Sequence, residues 1–110
     1  MTYNKKNLPQ SNKILSLYPD RIPVIITKDR NSTIPDIDKN NFLVPKEFKL
    51  GELHHIIRKR IKLKPEIAIF LIVNRNKIIS INQLIKNVYD EYKNEDGFLY
   101  ITYTGEKTFG

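Results

Sequence analysis

The sequence predicts an α+β roll in which helices pack on one face of a mixed sheet, and three observations predict it. The segment Ile22 to Lys28 (IPVIITK) is dense in β-branched residues, as a strand is. Leu50, Leu53, Ile56, Ile57 and Ile61 recur at the spacing of one helix face. Phe98 to Tyr103 alternates as a strand directly after an Asp96-Gly97 turn.

Each element follows in chain order. Ser11 to Leu17 offers a short helix with Ser11 as N-cap and Ile14, Leu15 and Leu17 apolar. It must stop before Pro19, because proline pushes its predecessor out of the helical region. Tyr18 to Arg21 is a turn, and Pro23 places the start of the Ile22 to Lys28 strand toward an edge. Asp29 to Asn41, holding Pro35, is a loop, and Phe42 to Val44 is a second short strand closed by Pro45. The main amphipathic helix, built on Leu50, Leu53, Ile56, Ile57 and Ile61, carries Arg58, Lys59 and Arg60 in its last turns, where cations suit the helix dipole. Beyond Pro65, the apolar run Ala68 to Val73 predicts a central strand. Asn74 to Lys77 turns into a brief Ile78–Ile79 strand. Ser80 and Gln83 then read as a capping box ahead of a second helical face made by Ile81, Leu84, Ile85 and Val88.

Composition bounds the function. At 110 residues, 40% hydrophobic and 28% charged, the chain is one folding domain, too apolar to be disordered. Its longest apolar run, Ile67 to Val73, is far shorter than the roughly 20 residues of a membrane-spanning helix, and Thr2 to Gln10 holds no apolar signal stretch. Membrane attachment therefore has to be covalent or peripheral. The absence of cysteine excludes disulfides, Cys-ligated zinc, iron–sulfur clusters and a thiol nucleophile. The net charge of +7 predicts attraction to acidic partners, whether nucleic acid, anionic lipid or acidic peptide.

No catalytic residue, metal site or cofactor is assigned. His54 and His55 are adjacent and so point about 100° apart on a helix, which suits a surface pair better than two ligands of one metal. Asp36 and Asp38 lie in a polar loop without a nucleophile nearby, and the Arg58 to Lys64 cluster reads equally as a solvated helix end. An RNA-binding module would explain the charge and the aromatic last strand, but the Gly-aromatic signature of such modules is missing, so nucleic acid is not assigned as a partner.

The strings YPDRIPVII (Tyr18 to Ile26), IDK and FLVP (within Ile37 to Pro45), IIRKRIKL (Ile56 to Leu63), FLIVN (Phe70 to Asn74) and EDGFLYITY ending in TFG (Glu95 to Gly110) occur in order along nearly the whole chain. In these the sequence resembles the microtubule-associated light chain 3 and GABA-receptor-associated protein family of autophagy modifiers, looking closer to the light chain 3 branch after FLIVN. It departs from that family in an N-terminus several residues shorter than the usual two-helix extension, in Asn41 where Lys is usual, and in Gln10 where an acid is usual.

The resemblance implies a ubiquitin-like β-grasp fold, with residues 1–19 as a short helical N-terminal extension, 20–104 as the ubiquitin-like domain and 105–110 as a flexible conjugation tail. It implies a non-enzymatic modifier whose Gly110 is adenylated by an activating enzyme, relayed as a thioester to a conjugating enzyme, joined to phosphatidylethanolamine, and released by a deconjugating cysteine protease. Such a protein is cytoplasmic, and on the autophagosome membrane when lipidated. The alternatives are a related role at a plastid membrane, as in some parasites, and an unconjugated peptide-binding adaptor.

The resemblance also implies capture of short aromatic-x-x-aliphatic motifs, flanked by acids, in cargo receptors and autophagy factors, by strand addition to Phe42–Val44. Carried over by position, Ile14, Pro23, Ile25, Leu43 and Phe98 line the aromatic-accepting pocket. Phe42, Val44, Pro45, Phe48, Leu53, Ile56, Ile57 and Arg60 line the aliphatic-accepting one. Arg21, Lys39 and Arg60 meet the flanking acids.

Overall fold

The computed structural model describes residues 8–105. Its elements are α1 (Leu8–Leu17), β1 (Arg21–Lys28), β2 (Asn41–Pro45), α2 (Leu50–Ile61), β3 (Phe70–Val73), β4 (Lys77–Ile78), α3 (Ile85–Tyr92) and β5 (Leu99–Thr104). The strands form one mixed sheet in the order β2-β1-β5-β3-β4. β1 runs parallel to β5 and antiparallel to β2, while β3 is antiparallel to both β5 and β4.

Period-two alternation sorts the sheet into two faces. Ile22, Val24 and Ile26 of β1, Val44 of β2, Leu99, Ile101 and Tyr103 of β5, and Leu71 and Val73 of β3 enter one core with Leu50, Leu53, Ile57 and Ile61 of α2 and with Ile85, Val88 and Tyr89 of α3. Each α2 side chain withdrawn from water there contributes about 1.5–3 kcal/mol. On the other face lie Pro23 and Ile25, with Tyr100 in register with Ile25 and Phe98 one step before the Val24–Leu99 pair. There α1 packs against β1, and Ile14 and Leu15 are half-buried. Helices thus cover both faces of the sheet, whereas the sequence pattern had all of them on one.

Several local expectations change for physical reasons. Helix α1 begins at Leu8, with Pro9 in the first turn where its missing N–H is tolerated. Ser11 is therefore not the N-cap. Its hydroxyl is fully buried and donates to the Asp96 carbonyl at 2.6 Å, tying α1 to the turn before β5. Strand β1 is flanked on both sides, but Pro23 stands at its start, where the β5 side is still open. Pro23 precedes the first β1–β5 pair, Val24↔Leu99, so its absent donor interrupts no ladder. The apolar run at β3 lies between β5 and the short β4, and β5 takes the central place. The Ser80–Gln83 box forms a turn, with the Asn82 N–H on the Ser80 hydroxyl at 3.2 Å, and Ile81 and Leu84 are exposed. Helix α3 starts only at Ile85, whose N–H is satisfied by the Phe48 carbonyl at 2.7 Å, so no side-chain cap is needed. A one-sided box appears instead at α2, where the Glu52 carboxylate accepts the Lys49 N–H at 3.1 Å.

Candidate functional site

Strand β2 is one of the two edges of the sheet, opposite the two-residue β4. The Ile26 N–H donates to the Asn40 carbonyl at 2.8 Å, and the pairs Val24↔Phe42 and Ile22↔Val44 continue the same phase. Asn40, Phe42 and Val44 thus direct their backbone groups toward β1, and Asn41 and Leu43 direct theirs outward. An outward N–H and C=O at Leu43 make a template for an added strand. The Leu43 carbonyl meets only a long 3.4 Å contact from the Arg21 guanidinium.

The side chains at this edge diverge. Leu43 stands opposite Pro23 on the α1 face, beside Ile25, Phe98 and the half-buried Ile14. Of the residues assigned to the aromatic pocket, Leu43 is the most open, at 39% exposure, whereas Phe98 is at 7% and forms the floor. Asp96 fixes that floor: its buried carboxylate accepts the Phe98 N–H at 3.0 Å and the Tyr100 hydroxyl, while its carbonyl holds Ser11.

Phe42 and Val44 point to the α2 face. Phe42, Pro45, Phe48 and Ile56 are partly open there, but Val44, Leu53 and Ile57 are sealed core residues that support the pocket from beneath. The Phe42 ring carries two cations, with Lys39 Nζ 5.2 Å and Arg60 Cζ 5.3 Å from its centroid. Arg60 is held at the rim by Asp38 at 3.1 Å. Of the three assigned cations, Lys39 and Arg60 therefore cluster, while Arg21 stands at the far end of the Arg21↔Pro45 register.

The groups set aside on sequence grounds have structural partners. His54 Nε2 faces the Ile69 carbonyl at 3.1 Å, and Asp36 and Asp38 each face their own cation, Lys28 and Arg60. Arg58 donates to the carbonyls of Lys64 and Ile67, both at 2.7 Å, so it clamps the segment after α2. Lys62 takes the left-handed conformation that ends that helix, at φ 55° and ψ 43°.

Sequence reasoning missed the hold on the end of β5. The Gly105 N–H donates to the buried Ser32 hydroxyl at 3.2 Å, and the Tyr103 hydroxyl donates to the Pro35 carbonyl at 2.8 Å. A Cβ on Gly105 would lie 2.8 Å from Ile34 Cγ2, so a larger residue there would force Ile34, in the loop between β1 and β2, to shift. Gly110 lies outside the described residues.

A parallel β1–β5 pair, an antiparallel β2 edge and an α2 helix crossing the sheet define a ubiquitin-like domain. Comparison with known proteins makes this specific. The family model described as autophagy protein Atg8, ubiquitin like, matches residues 6–110. The chain is 50% identical over 101 residues to Autophagy-related protein 8B of Oryza sativa, covering 92% of this chain and 84% of that protein. It is 48% identical over 106 residues to Autophagy-related protein 8e of Arabidopsis thaliana, covering 96% and 86%. The crystal structure of Trypanosoma brucei ATG8 superposes with a TM-score of 0.88 at 36% identity, covering all of this chain and 95% of that one. The chain belongs to the Atg8 family of ubiquitin-like autophagy proteins. The names of these relatives speak of autophagy and lend no support to a plastid membrane.

Proposed function

We propose that this protein is a non-catalytic autophagy modifier, joined through Gly110 to phosphatidylethanolamine and capturing acid-flanked aromatic-x-x-aliphatic motifs along β2. Residues 1–19 serve as the N-terminal extension, 20–104 as the ubiquitin-like domain and 105–110 as the tail offered to the enzymes. An activating enzyme converts the Gly110 carboxylate to an acyl-adenylate, its cysteine displaces AMP to form a thioester, and a conjugating enzyme's cysteine takes over the acyl group. The lipid amine then expels that thiol to form an amide, which a cysteine protease hydrolyses. Two acyl chains, at about 0.8 kcal/mol per buried CH₂, suffice to hold a soluble domain at the autophagosome membrane.

The observation that carries the reading is the β2 edge, in a chain of this family: one strand with outward backbone groups and apolar ground on opposite faces of the sheet. In an extended peptide, side chains alternate, so residues three apart point to opposite faces and lie about 10 Å apart along the strand. A peptide paired with β2 therefore sends its aromatic residue toward Leu43, Pro23 and Phe98 and its aliphatic residue toward Phe42, Pro45 and Ile56. Spacing of three is what this edge selects. Spacing of two would send both to one face.

Two measurements test the two halves. Incubation with activating enzyme, conjugating enzyme, ATP and phosphatidylethanolamine liposomes should add the mass of one lipid, lost in Gly110→Ala; no gain with competent enzymes leaves an unconjugated adaptor. In a calorimetric titration, deleting one residue between the aromatic and aliphatic positions of a motif peptide should weaken binding at least tenfold. Unchanged affinity would rule out strand addition at β2.

A further inference from the structure

A second concave site lies away from β2, at the end of the sheet opposite the one from which the chain leaves β5. Asn74, Arg75, Tyr92, Asn94 and Tyr100 line a cleft of about 200 Å³. The turn from β3 to β4 brings the first two there, the end of α3 supplies Tyr92, and Tyr100 comes from β5.

The turn is built against its own backbone preference. Asn74 and Arg75 have φ of 51° and 75°, two successive residues in the left-handed region. Asn tolerates that region; for Arg it is disfavoured, and glycine is the residue that fits such a turn without strain. A long cationic side chain stands instead where the fold would be better served by none. Among the described residues, Arg75 has neither a hydrogen bond nor an ion pair. Backbone strain of this kind clusters at active sites and ligand clamps.

We propose that this cleft binds a carboxylate-bearing side chain of a partner peptide, with Arg75 as its charged anchor. The lining supplies one guanidinium fork and two neutral amides between two tyrosine rings, and no carboxylate. A planar carboxylate matches the fork in bidentate fashion, and the Asn74 and Asn94 amides can donate to either of its oxygens. Phosphate recognition gathers several cations, whereas among the described lining residues Arg75 is the one cation, and nearby Lys77 is engaged with the Tyr92 ring, its Nζ 5.4 Å from the centroid. The volume suits one side chain rather than a nucleotide. The site is separate from β2 in sheet position, so one molecule can engage both at once.

The test is a ¹⁵N-resolved NMR titration of the full 110-residue chain with an acetylated, amidated Gly-Glu-Gly tripeptide, with Gly-Gln-Gly and inorganic phosphate as parallel arms at matched ionic strength. The Glu peptide should give saturable shifts confined to residues 74, 75, 92, 94 and 100. The Gln peptide should give none, and Arg75→Gly should abolish the response while keeping a native spectrum, since glycine suits the turn. Leu43→Pro, at the other edge, should leave it intact. Equal response to Gln, persistence in Arg75→Gly, saturation by phosphate but not by the Glu peptide, or no saturable shift would each overturn the proposal.

Discussion

Replacing Leu43 tests whether β2 pairs with a peptide by its backbone or merely offers an apolar surface. Leu43→Ala removes three carbons, about 2.4 kcal/mol of transfer free energy if fully buried. Leu43 already hides most of its surface, and only the 39% still exposed can be newly covered by a ligand. The side-chain loss is then about 0.9 kcal/mol, roughly a fivefold weakening. Leu43→Pro retains three of the four side-chain carbons, a side-chain loss of only about 0.3 kcal/mol, but deletes the outward N–H, adding a lost hydrogen bond of about 0.5–1.5 kcal/mol. Because Leu43 gives no N–H to β1, proline should be tolerated at this edge, and the melting temperature should stay close to the parent's. Calorimetry with one acid-flanked motif peptide should show Leu43→Ala about fivefold and Leu43→Pro about 4- to 20-fold weaker than the parent. A loss of no more than about twofold for a natively melting Leu43→Pro, which is the side-chain share alone, would refute backbone pairing.

Four further outcomes follow from the geometry. Ser11→Ala removes the buried bond to Asp96 and should cost about 1–2 kcal/mol, lowering the melting temperature by several degrees and speeding hydrogen exchange of the α1 amides; unchanged exchange would mean that α1 is held otherwise. Arg75→Gly relieves about 1–2 kcal/mol of left-handed strain and loses about 0.5–1 to glycine's unfolded-state entropy, so thermal denaturation should show a gain of a few degrees, and a loss would deny the strain. Gly105→Ala forces a methyl against Ile34 and should destabilise by about 1–3 kcal/mol in urea denaturation, with the cost partly relieved in the double variant with Ile34→Ala. The Tyr103 and Tyr89 hydroxyls are held above the ordinary value of 10.0, chiefly by burial. The unfolded chain loses these protons first, so stability is intact below pH 10.0 and falls as pH rises above it toward the folded values. Tyr103→Phe should flatten that limb in melts taken from pH 9 to 11.

How far the sequence could be read depended on whether a signal was local. The α2 helix was legible from its spacing, because Leu50, Leu53, Ile57 and Ile61 repeat on one face and are buried, with Ile56 half-buried beside them. Strand β1 was legible from its β-branched run. What failed was where a residue's choice is set by a distant neighbour. Ser11 carries the chemistry of an N-cap, and nothing near it in sequence reports that Asp96 lies within 2.6 Å. Ser80 and Gln83 have capping-box spacing, but the Phe48 carbonyl reaches Ile85 first. At the candidate edge, sequence supplied the residues but could not separate floor from wall: Val44, Leu53 and Ile57 carry the core as well as the pocket. One local signal went unused. An Arg directly after Asn in a hairpin turn, where glycine is the usual choice, is visible in the sequence and points to the cleft.

Under the proposed strand addition at β2, the charges already at the pocket decide how much the acids flanking a motif can gain. Arg60 is held at the rim by Asp38 and by the Phe42 ring, so an incoming carboxylate meets a cation that already has an anionic partner. The pair is largely open to solvent, and exposed ion pairs contribute about 0–1 kcal/mol. Exchanging Asp38 for a ligand acid is therefore close to neutral at Arg60 itself. Lys39 is different: among the described residues it forms no ion pair, and it stands 5.2 Å from the same ring. Acidic flanks gain mainly from the summed positive field of a chain carrying +7, which raises association rates and is screened by salt over about 10 Å at 0.1 M. The apolar pockets on the two faces of β2 must then supply most of the affinity that survives at physiological ionic strength.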